Sequence, residues 1–317
     1  MHIAFFEPFS RAWNRMTRAL FKPFNLRTWM VVGFTAFLAN LLEGGNGGKG
    51  GGGSDGGDFD LYDFAHFPIT ACNWLLDHPL YMLLILFGLF FLFILFFVLT
   101  WLGSRGKFMF LDNVVHSRAL VAQPWREYGR LGDSLFLWRI LVGLVVMVLI
   151  VIMVAHFFTF LINLYEEDFS PPTPILFFIQ MGLLLLALIL LASFVSMLTT
   201  DFVVPIMYRE RISVWAAWSR FLPLLMQNLL YFLLYSLLIF LFFIVIVITV
   251  ILFGLFTCCL GFLLLAIPYI KDVVTLPISY TLRAFSVEFL AQFGPQYVIF
   301  PAPEEKPVKR SRPGTKR

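Results

Sequence analysis

Ser193, Ser196 and Thr200 stand at i, i+3 and i+7 in an otherwise apolar stretch. A helix there puts the three hydroxyls on one face. Asp201 follows directly, and Asn228, Lys271 and Asp272 stand at the matching ends of two further apolar segments. The pattern predicts one polar cluster, with Asp201 paired to Lys271. Polar groups in apolar segments are costly, and they mark substrate or ion paths, or hydrogen bonds between helices. Both readings stay open for the cluster: a substrate cavity, or interfacial charges beside a seam of small residues. His156 and Gln180 lie on consecutive apolar segments, each several residues from one connecting loop. They are expected to meet across the hairpin, as a proton or ligand site or as a plain interhelical hydrogen bond of about 0.6 kcal/mol.

Nothing else in the chain has the spacing of a catalytic or metal site. Walker A, H-E-x-x-H, G-x-S-x-G and CxxC patterns are absent. No catalytic residue, metal or cofactor is therefore expected. Cys258 and Cys259 are adjacent in an apolar turn and read as small hydrophobes. His66 and His78 each have an aspartate nearby, Asp63 and Asp77, which is too little for a metal site.

The elements that carry these residues must be membrane helices. Of 317 residues, 60% are hydrophobic and 13% charged, against about 25% charge in a soluble domain. Apolar runs cover 79–102, 138–163, 174–200, 226–250 and 255–277. Each approaches or exceeds the roughly 20 residues that cross a bilayer. The last two read as a tight hairpin. A shorter run at 28–42 covers about 22 Å of a core of about 30 Å, and needs extension toward Phe24 to span. The expected fold is all-α: a bundle of six spans.

Charge placement supports that count. Residues 1–28 carry five basic residues against Glu7, whereas 43–78 hold six acidic residues against Lys49. Basic segments recur at 104–137, 208–221 and 306–317, and 164–173 holds only acids. The alternation puts both termini in the cytoplasm of a plasma-membrane protein. A cleaved signal peptide is the competing reading of the first 42 residues, but no small-x-small site stands out after the run. The chain divides into a cytoplasmic amphipathic segment at 1–27, a membrane domain at 28–300 and a basic tail at 301–317. Within the membrane domain, 43–78 is an external loop. Residues 44–57 contain ten glycines and read as a flexible linker, and the tail reads as disordered. Amphipathic surface segments are expected near 2–22, 112–130, 210–224 and 279–293.

A unit recurs three times. A Trp-bearing amphipathic piece precedes an outward span, an outer loop and a returning span. Trp13 with Arg15, Trp125 with Arg126, and Trp218 with Arg220 mark the three pieces. Indole prefers the headgroup layer and arginine pairs with lipid phosphate, so these six residues are candidate headgroup contacts. The returning spans end alike: Asp201-Phe-Val-Val-Pro205 against Asp272-Val-Val-Thr-Leu-Pro277, with Phe108-Met-Phe-Leu-Asp112 in the second position of comparison. The alternative to duplication is the ordinary enrichment of Trp and Arg at any inner boundary.

The stretch 202–228 (FVVPIMYRERISVWAAWSRFLPLLMQN) resembles the cytoplasmic loop of a broad group of six-span proteins from bacteria and archaea. That group includes a membrane domain associated with glycerophosphodiester phosphodiesterases. The stretch 106–139, with GKFMFLDNVV, PWREY and SLFLWR, is similar to an uncharacterised bacterial family. The resemblance covers about a fifth of the chain. It implies a six-span membrane domain and no established reaction. The soluble phosphodiesterase barrel has no counterpart here, so its activity does not transfer.

The leading functional expectation is a non-catalytic membrane module. Its partners would be the bilayer, anionic lipid headgroups or a membrane protein partner, met through its basic inner face. A transporter of a small molecule or lipid using the polar cluster is the first alternative, and a lipid-modifying membrane enzyme the second. A net charge of +4 is too small to argue for nucleic acid.

Overall fold

The computed structural model describes residues 3–41, 61–166, 173–257 and 265–301. The Gly-rich stretch and the basic tail lie outside them. Among the described residues the structure is helical and holds no strand. The helices are α1 (Phe6–Phe21), α2 (Leu26–Ala39), α3 (Leu61–Asp77), α4 (Pro79–His116), α5 (Ala122–Glu127) and α6 (Gly129–Glu166). Next come α7 (Thr173–Leu198), a π turn at Thr199–Val203, α8 (Val204–Glu210), α9 (Val214–Gln227) and α10 (Leu229–Phe256). The last are α11 (Pro268–Val274) and α12 (Leu276–Leu290).

Four helices are long and apolar enough to cross a membrane: α4, α6, α10, and α7 with its continuation through α8. The bent pair from α11 into α12, which turns by 64°, counts as a fifth if it is one span. At 14 residues, α2 is about 21 Å long and falls short of a bilayer core. The long helices divide sharply along their length. Leu80–Val98 of α4, Leu141–Val154 of α6 and Ile175–Leu191 of α7 present exposed Leu, Ile, Val and Phe, as does the second half of α10. Among the described residues these side chains are left largely uncovered, which suits lipid.

The core lies at one end of these stems. In α4 it begins at Thr100 and takes in almost every residue from Gly103 to Val115. The end of α7, the π turn and α8 supply Leu198, Phe202, Val203, Ile206 and Met207. The first half of α10 supplies Phe232 and Tyr235. Nearly all of α12 from Arg283 to Leu290 is buried. This differs from the surface segment expected at 279–293. The stretch is moderately apolar and carries Arg283 and Glu288, so it reads as interfacial. Glu288 is paired with Arg15 and Arg283 donates to the Thr200 carbonyl, and the helix becomes the centre of the core.

Three shorter helices pack on the ends of the returning ones. α1 packs along α12, α5 against α4, and α9 against the π turn and α8. In α1 the apolar stripe is Pro8, Ala12, Met16 and Leu20, a strict four-residue repeat that turns one face inward. Full burial of Met16 and Leu20 contributes about 1.5–3 kcal/mol each. α2 lies on the packed part of α4. A Cβ at Gly106 would sit 2.6 Å from the Leu38 carbonyl carbon, so the two backbones touch because Gly106 has no side chain. α10 runs unbroken to Phe256, and most of the tight turn expected between the last two apolar runs lies outside the described residues.

Candidate functional site

The π turn at Thr199–Val203 sits at the centre of the core, and it carries the first sequence-predicted cluster. One extra residue in a helical turn frees backbone carbonyls and re-aims side chains. Here the Thr200 carbonyl accepts from Arg283 Nη1 at 2.7 Å. The Lys107 ammonium donates to Thr200 Oγ1. Asp201 Oδ2 accepts from Tyr235 at 3.0 Å, and its other oxygen lies 3.7 Å from Arg283 Nη1. Lys107 is fully buried and Arg283 is only 8% exposed. The partner expected for Asp201 was Lys271; Arg283 and Tyr235 take its place. The neighbouring Asp272 faces α2, where it accepts from Asn40 Nδ2 at 3.0 Å.

A cavity of about 750 Å³ opens beside this cluster. α7 lines it with Ser193 and Ser196, and the π turn with Thr200 and Asp201. Arg283 and Ser279 come from α12, Asn40 from the end of α2, and Ile239 and Phe243 from α10. A smaller cavity, about 250 Å³, lies between α4, α6 and α7 and shares Ser196 and Thr200 with the first. Lys271, Asp272 and Asn228 do not line the larger cavity. Asn228 turns the corner between α9 and α10 and donates to the Leu224 carbonyl at 3.2 Å.

His156 and Gln180 are not joined. Both are exposed on their stems, and His156 lies 5.5 Å from the Phe177 ring. Phe160 stacks on Phe177 in the same region, so aromatic packing closes this hairpin in place of a polar bond.

The three Trp–Arg pairs divide. Trp13 is half exposed, and Arg126 is exposed. Trp125 packs edge-on to Trp101 at 5.6 Å, and Arg105 lies against both rings while binding Asp133. Trp218 packs on Trp138 at 5.3 Å. Arg15 binds the buried Glu288, and Arg220 binds Glu210. Arg15 and Arg220 therefore have protein carboxylates where lipid phosphate was expected.

A second buried carboxylate, Asp112, has no exposure at all. Arg118 grips it through Nη2 at 2.7 and 3.0 Å and through Nε at 3.1 Å. Tyr208 and Tyr128 donate to the same group at 2.9 and 3.3 Å. The Arg118–Asp112 hydrogen bonds push the guanidinium pKa up despite partial burial. Burial raises the Tyr128 phenol, helped by Asp112 and opposed by Arg211, which stacks 4.4 Å above its ring. Next to this lock is an open pocket of about 530 Å³ with His116, Arg118, Arg209 and Arg211 on its walls. Charge spacing along the chain gave no sign of this pocket, because its arginines come from two different loops.

Long apolar stems on a packed helical base define a helical membrane protein. The chain belongs to a family of unknown function, DUF7544, which matches residues 4–300. That agrees with the resemblance to an uncharacterised family and carries no link to the membrane domain associated with glycerophosphodiester phosphodiesterases. No curated protein and no solved structure matches the chain.

Proposed function

We propose that this chain is a non-catalytic plasma-membrane module that gathers anionic lipid headgroups on its packed, basic end. The observation that carries the reading is a coincidence of place. The core lies at the same end of the stems as exposed Arg18, Arg126, Arg130 and Arg209, with Glu7 and Glu127 as nearby exposed acids. Each such base near an anionic leaflet adds about 1 kcal/mol of attraction.

Six crossings and two cytoplasmic termini belong to the same proposal. The support is the alternation of charge along the sequence, basic at 1–28, 104–137 and 208–221 and acidic at 43–78 and 164–173. The three-unit repeat also has support. Each returning helix receives the short helix of the following unit, and α12 receives α1 to close the ring. Such units are parallel, about an axis along the membrane normal.

The test is the triple variant Arg18→Gln, Arg126→Gln, Arg209→Gln, using surface arginines outside the buried ion pairs. Native mass spectrometry of protein released from mixed anionic and zwitterionic membranes counts the retained lipids. The expected result is a several-fold loss of anionic enrichment that high salt reproduces in the parent chain. Unchanged enrichment refutes headgroup binding by this face.

A further inference from the structure

The cavity between α7, α10 and α12 contains an arginine with work left undone. Arg283 Nη1 is committed to the Thr200 carbonyl and faces Asp201. Its Nε is buried and has no hydrogen-bond partner among the described residues. A buried unpaired donor on a cation is expensive, and structures rarely keep one without a ligand, ion or water to meet it. The free edge of a guanidinium, Nε with Nη2, is the edge that holds phosphate or carboxylate oxygens in a fork.

The rest of the cavity fits an amphiphile. Ser193 and Ser196 are exposed toward it, and neither hydroxyl has a hydrogen bond among the described residues. Serines in apolar helices ordinarily bond back to their own backbone, as Thr199 does to Val195 here. On the other wall stand Ile239 and Phe243, and Phe243 is 60% exposed on a lipid-facing stem. The opening between α7 and α10 therefore faces hydrocarbon. Within the cluster, Lys107 and Arg283 outnumber Asp201. Asp272 stays outside the lining and is held by Asn40. A volume of about 750 Å³ suits a headgroup with the first part of its chains.

We propose that this cavity binds the phosphate-bearing headgroup of an anionic membrane lipid, which enters sideways between α7 and α10. Arg283 holds a phosphate oxygen, Ser193 and Ser196 donate to the headgroup, and the acyl chains leave along Ile239 and Phe243. The site deepens the headgroup-binding reading above, yet it is buried and single where the basic face is open and shared. The lipid held here resists salt, and the surface triple variant leaves it in place. The two ideas therefore fail separately.

The experiment uses the full chain in mild detergent, with phosphatidylglycerol or phosphatidylcholine added and retained lipid counted by native mass spectrometry at high salt. The parent chain should keep one phosphatidylglycerol in preference to phosphatidylcholine. Arg283→Gln should weaken that retention by about tenfold or more, the scale of a lost charge-assisted hydrogen bond. Arg283 also supports the π turn, so a second variant is needed. Ser196→Phe fills the cavity from an exposed position and leaves Arg283 intact. It should lose the lipid while keeping the thermal midpoint. Three results overturn the proposal: full lipid retention by Ser196→Phe, equal retention of both lipids by the parent chain, or occupancy by inorganic phosphate with no retained lipid.

Discussion

Arg15 reaches the Glu288 carboxylate at 2.8 Å across 273 residues of chain. Glu288 is nearly buried, and Arg11 approaches its other oxygen at 3.7 Å. The pair fastens the first helix to the last, and beside it the Ala4 amide and carbonyl both bond the Gln292 side chain at 2.9 Å. Arg15 also lies 3.9 Å above the Phe300 ring.

Glu288→Gln should lower stability. Loss of one partner from a buried pair costs about 3–5 kcal/mol, and the partial exposure of Arg15 places this pair below that range. Thermal midpoints in detergent measure it. A double cycle with Arg15→Gln should give a coupling well above the noise; zero coupling means the two side chains act independently.

Asp112 is the second fastening, and its removal should be the more severe. Asp112→Ala leaves Arg118, Tyr128 and Tyr208 without their shared acceptor, at a cost of about 3–5 kcal/mol. Tyr208→Phe removes one donor and should cost about 1 kcal/mol. Folded yield by size-exclusion chromatography separates the two. Equal yields for the two variants contradict a central role for the carboxylate.

Glycine substitutions should sort by place. At Gly106 a Cβ would meet the Leu38 carbonyl carbon and the Ala39 nitrogen at 2.6–2.7 Å. Gly106→Ala should push α2 off α4 and cost about 1–3 kcal/mol. At Gly88 and Gly143 a Cβ meets nothing within 4 Å. Alanine there should be neutral or stabilising by up to about 1 kcal/mol. A destabilised Gly143→Ala would place that surface against protein instead of lipid.

Tyr128 carries a pH signature. Burial holds its phenol pKa above the ordinary value of 10.0. The neutral form is favoured in the fold, so its stability contribution is whole below about pH 10 and is lost as pH climbs toward the raised value. Above pH 10 the parent chain should therefore lose stability more steeply than Tyr128→Phe. Parallel slopes in a pH series of thermal midpoints rule out this origin.

The stems were readable because uninterrupted Leu, Phe, Ile and Val admit one solvent. The face shared by Ser193, Ser196 and Thr200 followed from spacing alone, and all three line one cavity. What hydropathy hid was the continuation of the returning helices beyond the apolar stretch. Lys107, Asp112, Arg283 and Glu288 look like helix ends in sequence, yet each is buried and bonds a residue distant along the chain. Arg283 was missed for that reason, and Lys271 was expected in its place. The π turn was equally invisible, because Thr199–Val203 has ordinary helical composition and only the three-way meeting at Thr200 requires the extra residue.

The seal between α1 and α12 also sets a timetable for biogenesis. α1 leaves the ribosome early, but the groove that receives Ala12, Met16 and Leu20 does not exist until α12 has been made. Until then α1 has no protein partner for that face, while Phe6 and Trp13 on its other side stay exposed even in the finished fold. Assembly of the base is therefore a late event, separate from insertion. A nascent chain halted before α12 has its stems made and the Ala12, Met16 and Leu20 face of α1 still uncovered.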